Sequence, residues 1–109
     1  MENPEKVILT NMCMIFDGTK LLVQEKVGKG FKGITCPGGH VEPGEPIVDS
    51  VIREIKEETG LTIKSPKLCG IKDWFEEGQC GTLTRWLSLH AARSIQKFFL
   101  IPQIIGNQF

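Results

Sequence analysis

Residues 39–61 read GHVEPGEPIVDSVIREIKEETGL, and this stretch decides the interpretation of the whole chain. A glycine is followed after five residues by a glutamate, and after seven more by the run Arg-Glu-apolar-x-Glu-Glu-x-Gly-apolar. From average residue usage, a chance match to this pattern at one given start is about one in a billion. The fixed points are Gly39, Glu45, Arg53, Glu54, Ile55, Glu57, Glu58, Gly60 and Leu61.

The same stretch predicts an amphipathic helix. Glu45 suits the cap before its first turn and Pro46 the first helical position, while Gly60 suits a left-handed C-terminal end. At 3.6 residues per turn, one arc is expected to face a core, and it contains Val48, Val51, Ile52, Ile55 and Thr59. The neighbouring arc brings three carboxylates together, those of Glu54, Glu57 and Glu58, with Glu58 at the border and partly buried.

These clustered glutamates indicate the chemistry of the stretch. Like charges at such spacings repel by roughly a few tenths of a kcal/mol per pair, so a helix keeps them most readily when a cation binds. Carboxylate oxygens are hard ligands that suit Mg²⁺, with Mn²⁺ as an alternative, and Mg²⁺ shares its shell with water and substrate phosphates. We therefore expect a metal site for a diphosphate-containing substrate. The alternative is a solvated acidic helix face.

A glycine pair precedes the helix in the run Pro37-Gly38-Gly39, where the missing side chains let the backbone approach a ligand closely. Together with Glu45 and Arg53 at fixed spacing, the whole stretch resembles the Nudix box, the signature of hydrolases that cleave a diphosphate attached to another group. The resemblance implies a metal shell made of the Gly38 carbonyl and three glutamates, Glu54, Glu57 and Glu58. It also implies catalytic roles for Glu54, Glu57 and Arg53.

The individual roles within this set stay open at two points. Arg53 can hold a carboxylate in a bidentate manner, and the resemblance suggests Glu57 or Glu45 as its partner. A general base must take a proton from the attacking water, and either Glu54 or Glu57 could do so. Glu54 is accordingly expected to be a metal ligand or the base.

The resemblance extends over residues 7–80, through TNMCMIFDGTKLLVQEK, GITCPGGHVEPGE and LCGIKDWFEEG, to the MutT-like branch that is often labelled 8-oxo-dGTP diphosphatase. It implies an α+β fold, an α/β/α sandwich with a mixed β-sheet, in a single domain over residues 1–109. It also suggests which residues contact the substrate. For the loop histidine and the loop lysines, the alternative is that they are simply solvated. For Trp74 and Phe75, the alternative is that they pack in the core. The candidates are Gly39, His40, Asn11, Lys26, Lys29, Lys32, Trp74 and Phe75.

Outside the box, the pattern predicts a series of strands. Residues 7–16 read as a mostly buried strand, Asp17-Gly18 as a turn and residues 20–27 as the returning strand. A glycine-rich loop over residues 28–33 and a short strand over 34–36 follow. Later segments comprise a strand start at 61–63, a strand at 67–75 with an acidic turn at 76–78, a strand or helix at 83–89, and an apolar stretch at 98–105.

The C-terminal part departs from the family pattern. Residues 1–80 carry all thirteen acidic residues, whereas residues 81–109 carry none and three basic ones. After residue 80, the resemblance leads us to expect at least two further strands, another carboxylate and a closing helix. We therefore expect residues 81–109 to be atypical, through truncation, a frameshift or an unusual minimal variant. If they do not complete the sheet, an edge strand and one sheet face stay exposed.

Composition limits the remaining possibilities. With thirteen basic and thirteen acidic residues, the charge does not suggest a nucleic-acid polymer or a membrane as partner. No apolar run could span a bilayer and no signal peptide begins the chain, so a cytoplasmic location is the expectation. Four scattered cysteines, without a C-x-x-C pair, are predicted to be reduced core thiols rather than a metal site or disulfides. They are Cys13, Cys36, Cys69 and Cys80.

The sequence thus predicts Mg²⁺-dependent hydrolysis of a nucleoside triphosphate, such as 8-oxo-dGTP, to a nucleoside monophosphate and pyrophosphate. The partner would be a small nucleotide, and a homodimer is left open. The alternative is a catalytically weak or inactive nucleotide-binding or interaction module that keeps the box with an incomplete C-terminal half.

Overall fold

The computed structural model describes residues 3–26 and 33–95, which contain one long helix and a mixed β-sheet. A short 3₁₀ turn, Gln79–Gly81, joins the last two strands. The elements in chain order are β1 (Val7–Asp17), β2 (Lys20–Leu21), β3 (Gln24–Lys26), β4 (Gly33–Thr35), β5 (Gly38–His40), α1 (Ile47–Thr59), β6 (Lys67–Glu77) and β7 (Leu83–Ser94).

The main sheet is built around β1. Its strand order is β2-β1-β7-β6, and β5 pairs with β1 on the same side as β2. The β1–β7 pair is parallel and runs from Val7 opposite Arg85 to Phe16 opposite Ser94, while every other pair is antiparallel. β3 and β4 form a separate antiparallel pair. The predicted mixed sheet is therefore confirmed.

Helix α1 covers one face of this sheet and forms the core with it. Its buried side chains Val51 and Ile55 pack with Cys13 and Ile15 of β1 and Ala91 of β7. Only one helix occurs in the described part of the chain, so the second helical layer of the expected sandwich is not seen there. No helix of that part is long and apolar enough to cross a membrane.

The ends of α1 follow the prediction closely, with one shift. Pro46 takes the N-cap position that was expected for Glu45, and the Glu45 carboxylate accepts a hydrogen bond from Arg53 instead. Gly60 adopts the predicted left-handed conformation, with φ +78°, and its N–H donates to the Lys56 carbonyl. Val48 was expected to face the core but is 51% exposed, at a shallow groove that Leu68 of β6 and Leu89 of β7 also line.

Most of the predicted strands exist, with altered bounds. The returning strand is split into β2 and β3, and residue 27 lies outside the described part, as do residues 28–32 of the expected loop. β6 continues through Glu77, so Glu76 and Glu77 belong to the strand and not to a turn. The expected strand start at residues 61–63 does not form a strand.

The segment after residue 80 differs most from expectation. Leu83–Ser94, predicted as strand or helix, forms β7, which lies between β1 and β6 inside the sheet. The apolar residues of this segment fit the helical period and the strand period alike. It forms a strand because it pairs with β1, which is distant in sequence. One of the further strands expected after residue 80 therefore exists, and the atypical character of residues 81–109 stays a prediction. The apolar stretch at 98–105 lies outside the described residues.

The four cysteines are free thiols, as predicted, but only part of them belongs to the core. Cys13 is buried beneath α1, and burial raises the pKa of its thiol to about 11. Cys36 is half-buried, and burial raises its pKa as well. Cys69 and Cys80 are exposed, so the prediction of core thiols is wrong for these two. They lie on the edge strand β6 and in the following turn, where none of the described elements covers them.

Candidate active site

The glycine pair lies in strand β5, which is held against β1 at both ends. The Cys13 N–H donates to the Pro37 carbonyl and the Val41 N–H donates to the Leu9 carbonyl, each at 2.9 Å. Gly38 and Gly39 are opposite Met12 and Asn11 in the strand pairing. The predicted turn is thus an extended segment that places both glycines between β1 and α1.

Both glycine positions lack room for a side chain. A Cβ at Gly39 would lie 2.0 Å from Oε2 of Glu54, and a Cβ at Gly38 would lie 2.1 Å from the backbone oxygen of Asn11. Such distances are far shorter than any normal contact. The glycines therefore allow the backbone to approach the glutamates of α1 and the neighbouring strand, which is the close approach that the sequence predicted.

Arg53 is the centre of the polar network. Its Nε and Nη2 donate to the two carboxylate oxygens of Glu45, at 2.7 and 3.0 Å, in a bidentate pair. Nη1 donates to Oε1 of Glu54 at 2.6 Å and to Oε1 of Glu57 at 3.1 Å. Nη2 also donates to the His40 carbonyl at 3.1 Å. The predicted partners Glu45 and Glu57 are confirmed, and Glu54 is a third.

This network changes the electrostatics of its members. The hydrogen bond from Arg53 and one from the Glu42 N–H hold the pKa of Glu45 below its usual range. The pKa of Arg53 is raised, first through its hydrogen bond to Glu45 and then through Glu54. One guanidinium therefore binds three box glutamates and ties α1 to the backbone of β5.

Glu58 occupies a separate, half-buried position. Its Oε1 accepts hydrogen bonds from the Gln24 side-chain amide at 2.8 Å and from the Gly38 N–H at 2.9 Å. Burial raises its pKa, and repulsion from Glu54 adds to that effect, while the two hydrogen bonds lower it. Glu58 is partly buried as predicted, and it holds the segment carrying Gly38 against α1.

The predicted metal ligands are close together but do not form a closed cage. Arg53 binds Oε1 of both Glu54 and Glu57, and Oε2 of Glu54 faces Gly39. Within residues 3–26 and 33–95, no three His, Cys, Asp or Glu side chains are gathered as a ready metal site. Mg²⁺ typically takes one or two carboxylates and keeps several waters, so this hard oxygen donor set fits such an ion without a full protein cage.

A cleft of about 240 Å³ lies beside the glycines, on the sheet face opposite α1. Four of the predicted substrate residues line it, namely Gly39, His40, Asn11 and Lys26. Lys29 and Lys32 lie outside the described residues. The remaining lining comes from Thr10, Met12, Thr35, Cys36, Gly38 and Ser88.

Asn11 borders the cleft but directs its side chain elsewhere. It is 4% exposed, and its Nδ2 donates to the Ser50 hydroxyl at 3.0 Å. Ser50 is fully buried in α1 and donates in turn to the Ile47 carbonyl. The amide thus fastens the helix to β1, and a role for Asn11 in holding a base stays a prediction.

Aromatic rings extend from the glycine pair across the open sheet face. The His40 ring contacts Trp86 edge-on, with centroids 5.8 Å apart, and Trp86 stacks with Trp74 at 6.0 Å and 18°. Phe75, paired with Trp74 in the prediction, lies on the α1 side beneath the guanidinium of Arg85. The structure therefore separates these two candidates, and only Trp74 shares a face with the cleft.

Two residues of the site were missed by the sequence analysis. The Gln24 side chain donates a hydrogen bond to Glu58 and is 2% exposed. Gln24 is two residues after the buried Leu22, so both side chains point inwards. A polar residue at an inward position is the signal that could have indicated it. Trp86 was missed because its segment was judged not to match the family.

Comparison with known proteins agrees with the fold. The sequence pattern of the NUDIX domain matches residues 8–101, and the chain belongs to the Nudix family. The structure is also similar to a MutT protein from Bacillus halodurans, with a TM-score of 0.68 and 30% identity, over 83% of this chain and 57% of the other. A MutT/nudix family protein from Enterococcus faecalis gives a TM-score of 0.73 at 25% identity, over 99% and 43% of the two chains.

Curated relatives carry several different names. The Nudix hydrolase YvcI of Bacillus subtilis is 35% identical over 75 residues, which is 69% of this chain and 46% of the relative. An ADP-ribose pyrophosphatase from Methanocaldococcus jannaschii is 47% identical over 53 residues, covering 48% and 31%. YtkD of Bacillus subtilis, named as a candidate 8-oxo-dGTP diphosphatase, is 43% identical over 53 residues, covering 49% and 32%. The chain spans less than half the length of each of these relatives.

The exclusion of side chains at Gly38 gives a direct test of the site geometry. Replacing Gly38 with alanine is expected to destabilise the fold by about 1–3 kcal/mol, because the new methyl group meets the backbone of β1 rather than a movable side chain. The midpoint of thermal unfolding should fall by about 4–8 °C for each kcal/mol. Gly78→Ala is the matched control, since a Cβ there meets nothing closer than 3.7 Å. Equal midpoints for both variants would contradict the close packing of β5.

Proposed function

We propose that this chain is a divalent-metal-dependent pyrophosphohydrolase that acts on a nucleotide, with Mg²⁺ as its ion and Mn²⁺ as a substitute. The observation that carries the proposal is the clamp of Arg53 on the glutamates Glu45, Glu54 and Glu57 beside the glycine-lined cleft. A solvated acidic helix face would need neither this arginine clamp nor the two glycines without side-chain room. Membership of the Nudix family supports the same chemistry.

The chain's own residues supply the positions for hydrolysis. Glu54, Glu57 and Glu58, with the Gly38 carbonyl, would hold the ion, which when bound neutralises phosphoryl charge and makes water more acidic. Arg53 fixes Oε1 of Glu54 and leaves Oε2 towards Gly39. That oxygen is the candidate general base, with Glu57 as the second candidate because it is the more exposed. Lys26 in the cleft wall would attract the phosphates.

For the substrate, we propose a nucleoside triphosphate cleaved to a nucleoside monophosphate and pyrophosphate, with 8-oxo-dGTP as a candidate. Support comes from the MutT-like structural relatives and from the name of YtkD. The name of the Methanocaldococcus jannaschii relative supports ADP-ribose as a second candidate. Other relatives are named NAD-capped RNA hydrolases, so a nucleotide at an RNA end belongs in the same comparison.

A substrate panel tests this proposal. Purified protein is incubated with Mg²⁺ and, separately, with excess EDTA, and the products from 8-oxo-dGTP, dGTP, ATP, ADP-ribose and NAD are separated by ion-exchange chromatography. We expect metal-dependent release of a nucleoside monophosphate from at least one compound. Binding of these nucleotides by folded protein without any hydrolysis would support the alternative, a nucleotide-binding module that has lost activity.

The contacting rings of His40, Trp86 and Trp74 predict where the nucleotide base binds. Trp86 lies next to His40, one ring away from the glycine pair, so a base bound in the cleft can reach its face. Stacking of a base on an aromatic ring contributes about 1–3 kcal/mol. Trp86→Ala should therefore raise the KM for nucleotides by about 5- to 150-fold. Phe75→Ala is the control, because Phe75 is on the opposite face. Equal KM values for the two variants would remove Trp86 from the site.

A further inference from the structure

Strand β6 is an unusually open edge. It is eleven residues long, and nine of these residues are exposed. It pairs with β7 on one side, and no other strand of the described chain pairs with its second side. A long edge strand with free backbone donors and acceptors is a template for pairing with a further strand.

The first part of the β6 face that looks towards α1 is also apolar. Leu68 and Ile71 are opposite Ala91 and Leu89, which are buried beside the helix, yet they are themselves 61% and 60% exposed. With the exposed Val48 of α1, Leu68 borders a shallow apolar groove between helix and strand. Contiguous apolar surface of this kind marks an interaction site.

Charge is distributed unequally along the same strand. Its first half carries Lys67 and Lys72, and its second half carries three acidic residues, Asp73, Glu76 and Glu77. Within residues 3–26 and 33–95, neither lysine forms an ion pair, and the same holds for Glu77. Opposite charges that face each other across paired strands stabilise the pair. Both lysines and Glu76 are on the face away from α1, whereas Asp73 and Glu77 share the α1 face. A reversed copy of the strand can therefore bring its lysines beside Glu76 of the first copy.

We propose that this edge binds a second copy of the same chain, with β6 of one protomer antiparallel to β6 of the other about a twofold axis. Reversal places the lysine half of each strand beside the acidic half of its partner, and the sheet continues across both protomers. The axis is perpendicular to the sheet, so both copies of α1 lie on one side and the two apolar strips adjoin. Such an interface is isologous, as in most homodimers.

The charge pattern favours a second copy over other occupants. To pair equally well with this edge, an unrelated strand would need basic and acidic residues in the same order as β6. Pairing also satisfies the backbone groups along the edge, which a loop laid over the apolar strip would not do.

Molar mass measured by light scattering during size-exclusion chromatography tests the proposal first. The wild-type chain is expected to run at twice its mass of 12.2 kDa at high concentration and to dissociate on dilution. Ile71→Lys should raise the dissociation constant at least about tenfold, since an exposed edge bearing an extra charge resists pairing. Ile34→Lys is the matched control, because Ile34 is 68% exposed on β4, outside β6.

A charge-reversal mixture gives the sharper test. One double variant, Lys67→Glu with Lys72→Glu, makes β6 acidic throughout, and another, Glu76→Lys with Glu77→Lys, makes its last residues basic. Each alone should be monomeric, whereas a mixture of the two should form a heterodimer. All four residues are exposed, and circular dichroism melts confirm that both variants fold.

Two results would overturn the proposal. The first is a wild-type chain that remains monomeric at all concentrations, as it would if residues 96–109 of the same chain covered the strip. The second is a dimer whose mass responds neither to Ile71→Lys nor to the charge reversals, since its interface would then lie elsewhere.

Discussion

Replacing Glu57 with glutamine is expected to lower the rate of nucleotide hydrolysis by about 10²–10⁴-fold, the range for loss of a group that handles a proton or charge in the transition state. The substitution keeps the size of the side chain but removes its charge, and with it a metal ligand and a candidate base. Among residues 3–26 and 33–95, the Glu57 carboxylate accepts one hydrogen bond, from Arg53, and 58% of its side chain is exposed. Its loss should therefore barely change the unfolding temperature.

The control for Glu57 is on the same helix. Asp49 is an exposed carboxylate in the first turn of α1 that forms no ion pair with Arg53, and Asp49→Asn should retain wild-type kcat. Steady-state kinetics with saturating Mg²⁺ and circular dichroism melts separate activity from stability. If Glu57→Gln and Asp49→Asn showed the same kcat, the box glutamate would have no role in the reaction.

Replacing Arg53 with lysine is expected to reduce kcat by about 10- to 100-fold, the usual cost of losing a residue that orients metal-binding groups. Arg53 holds two oxygens of Glu45, one each of Glu54 and Glu57, and the His40 carbonyl. A lysine ammonium is a compact point charge that cannot span these acceptors with a planar fork. The substitution preserves net charge, so a lower kcat would result from lost hydrogen-bond geometry rather than from a change in long-range electrostatics.

A second arginine of the chain supplies the comparison. Arg85 also joins two carboxylates, those of Glu5 and Asp73, and its pKa is raised in the same way, first through Glu5. It lies on β7 outside the cleft, so Arg85→Lys should leave kcat unchanged. Full activity in Arg53→Lys would show that the clamp does not position the catalytic carboxylates.

Local features of the site were predictable from sequence. The spacing from Glu45 to Gly60 specified the helix, its left-handed end and the carboxylate cluster, because these depend on contacts within a few turns. The family resemblance suggested the partners of Arg53, Glu45 and Glu57, which are eight and four residues away. The carboxylate cluster indicated a divalent metal, and the resemblance favoured that interpretation over a solvated acidic face.

Contacts between distant segments were not predictable. Gln24 reaches Glu58 across 34 residues, and Asn11 reaches Ser50 across 39. β7 pairs in parallel with the first strand of the chain, and its own sequence fits strand or helix equally well. The predicted burial of Val48 was wrong for a similar reason, because helical periodicity shows which residues share a face but not how closely distant strands pack against each of them.

The central claim is that the box glutamates bind a divalent cation and hydrolyse a nucleotide with it. The most direct measurement is the rate of nucleoside monophosphate formation as Mg²⁺ is added back to EDTA-treated, dialysed protein. We predict no turnover without the ion, a rate that rises to saturation with Mg²⁺, and restoration by Mn²⁺. A rate independent of Mg²⁺, or no turnover of any substrate on the panel by folded protein at saturating Mg²⁺, would contradict the account.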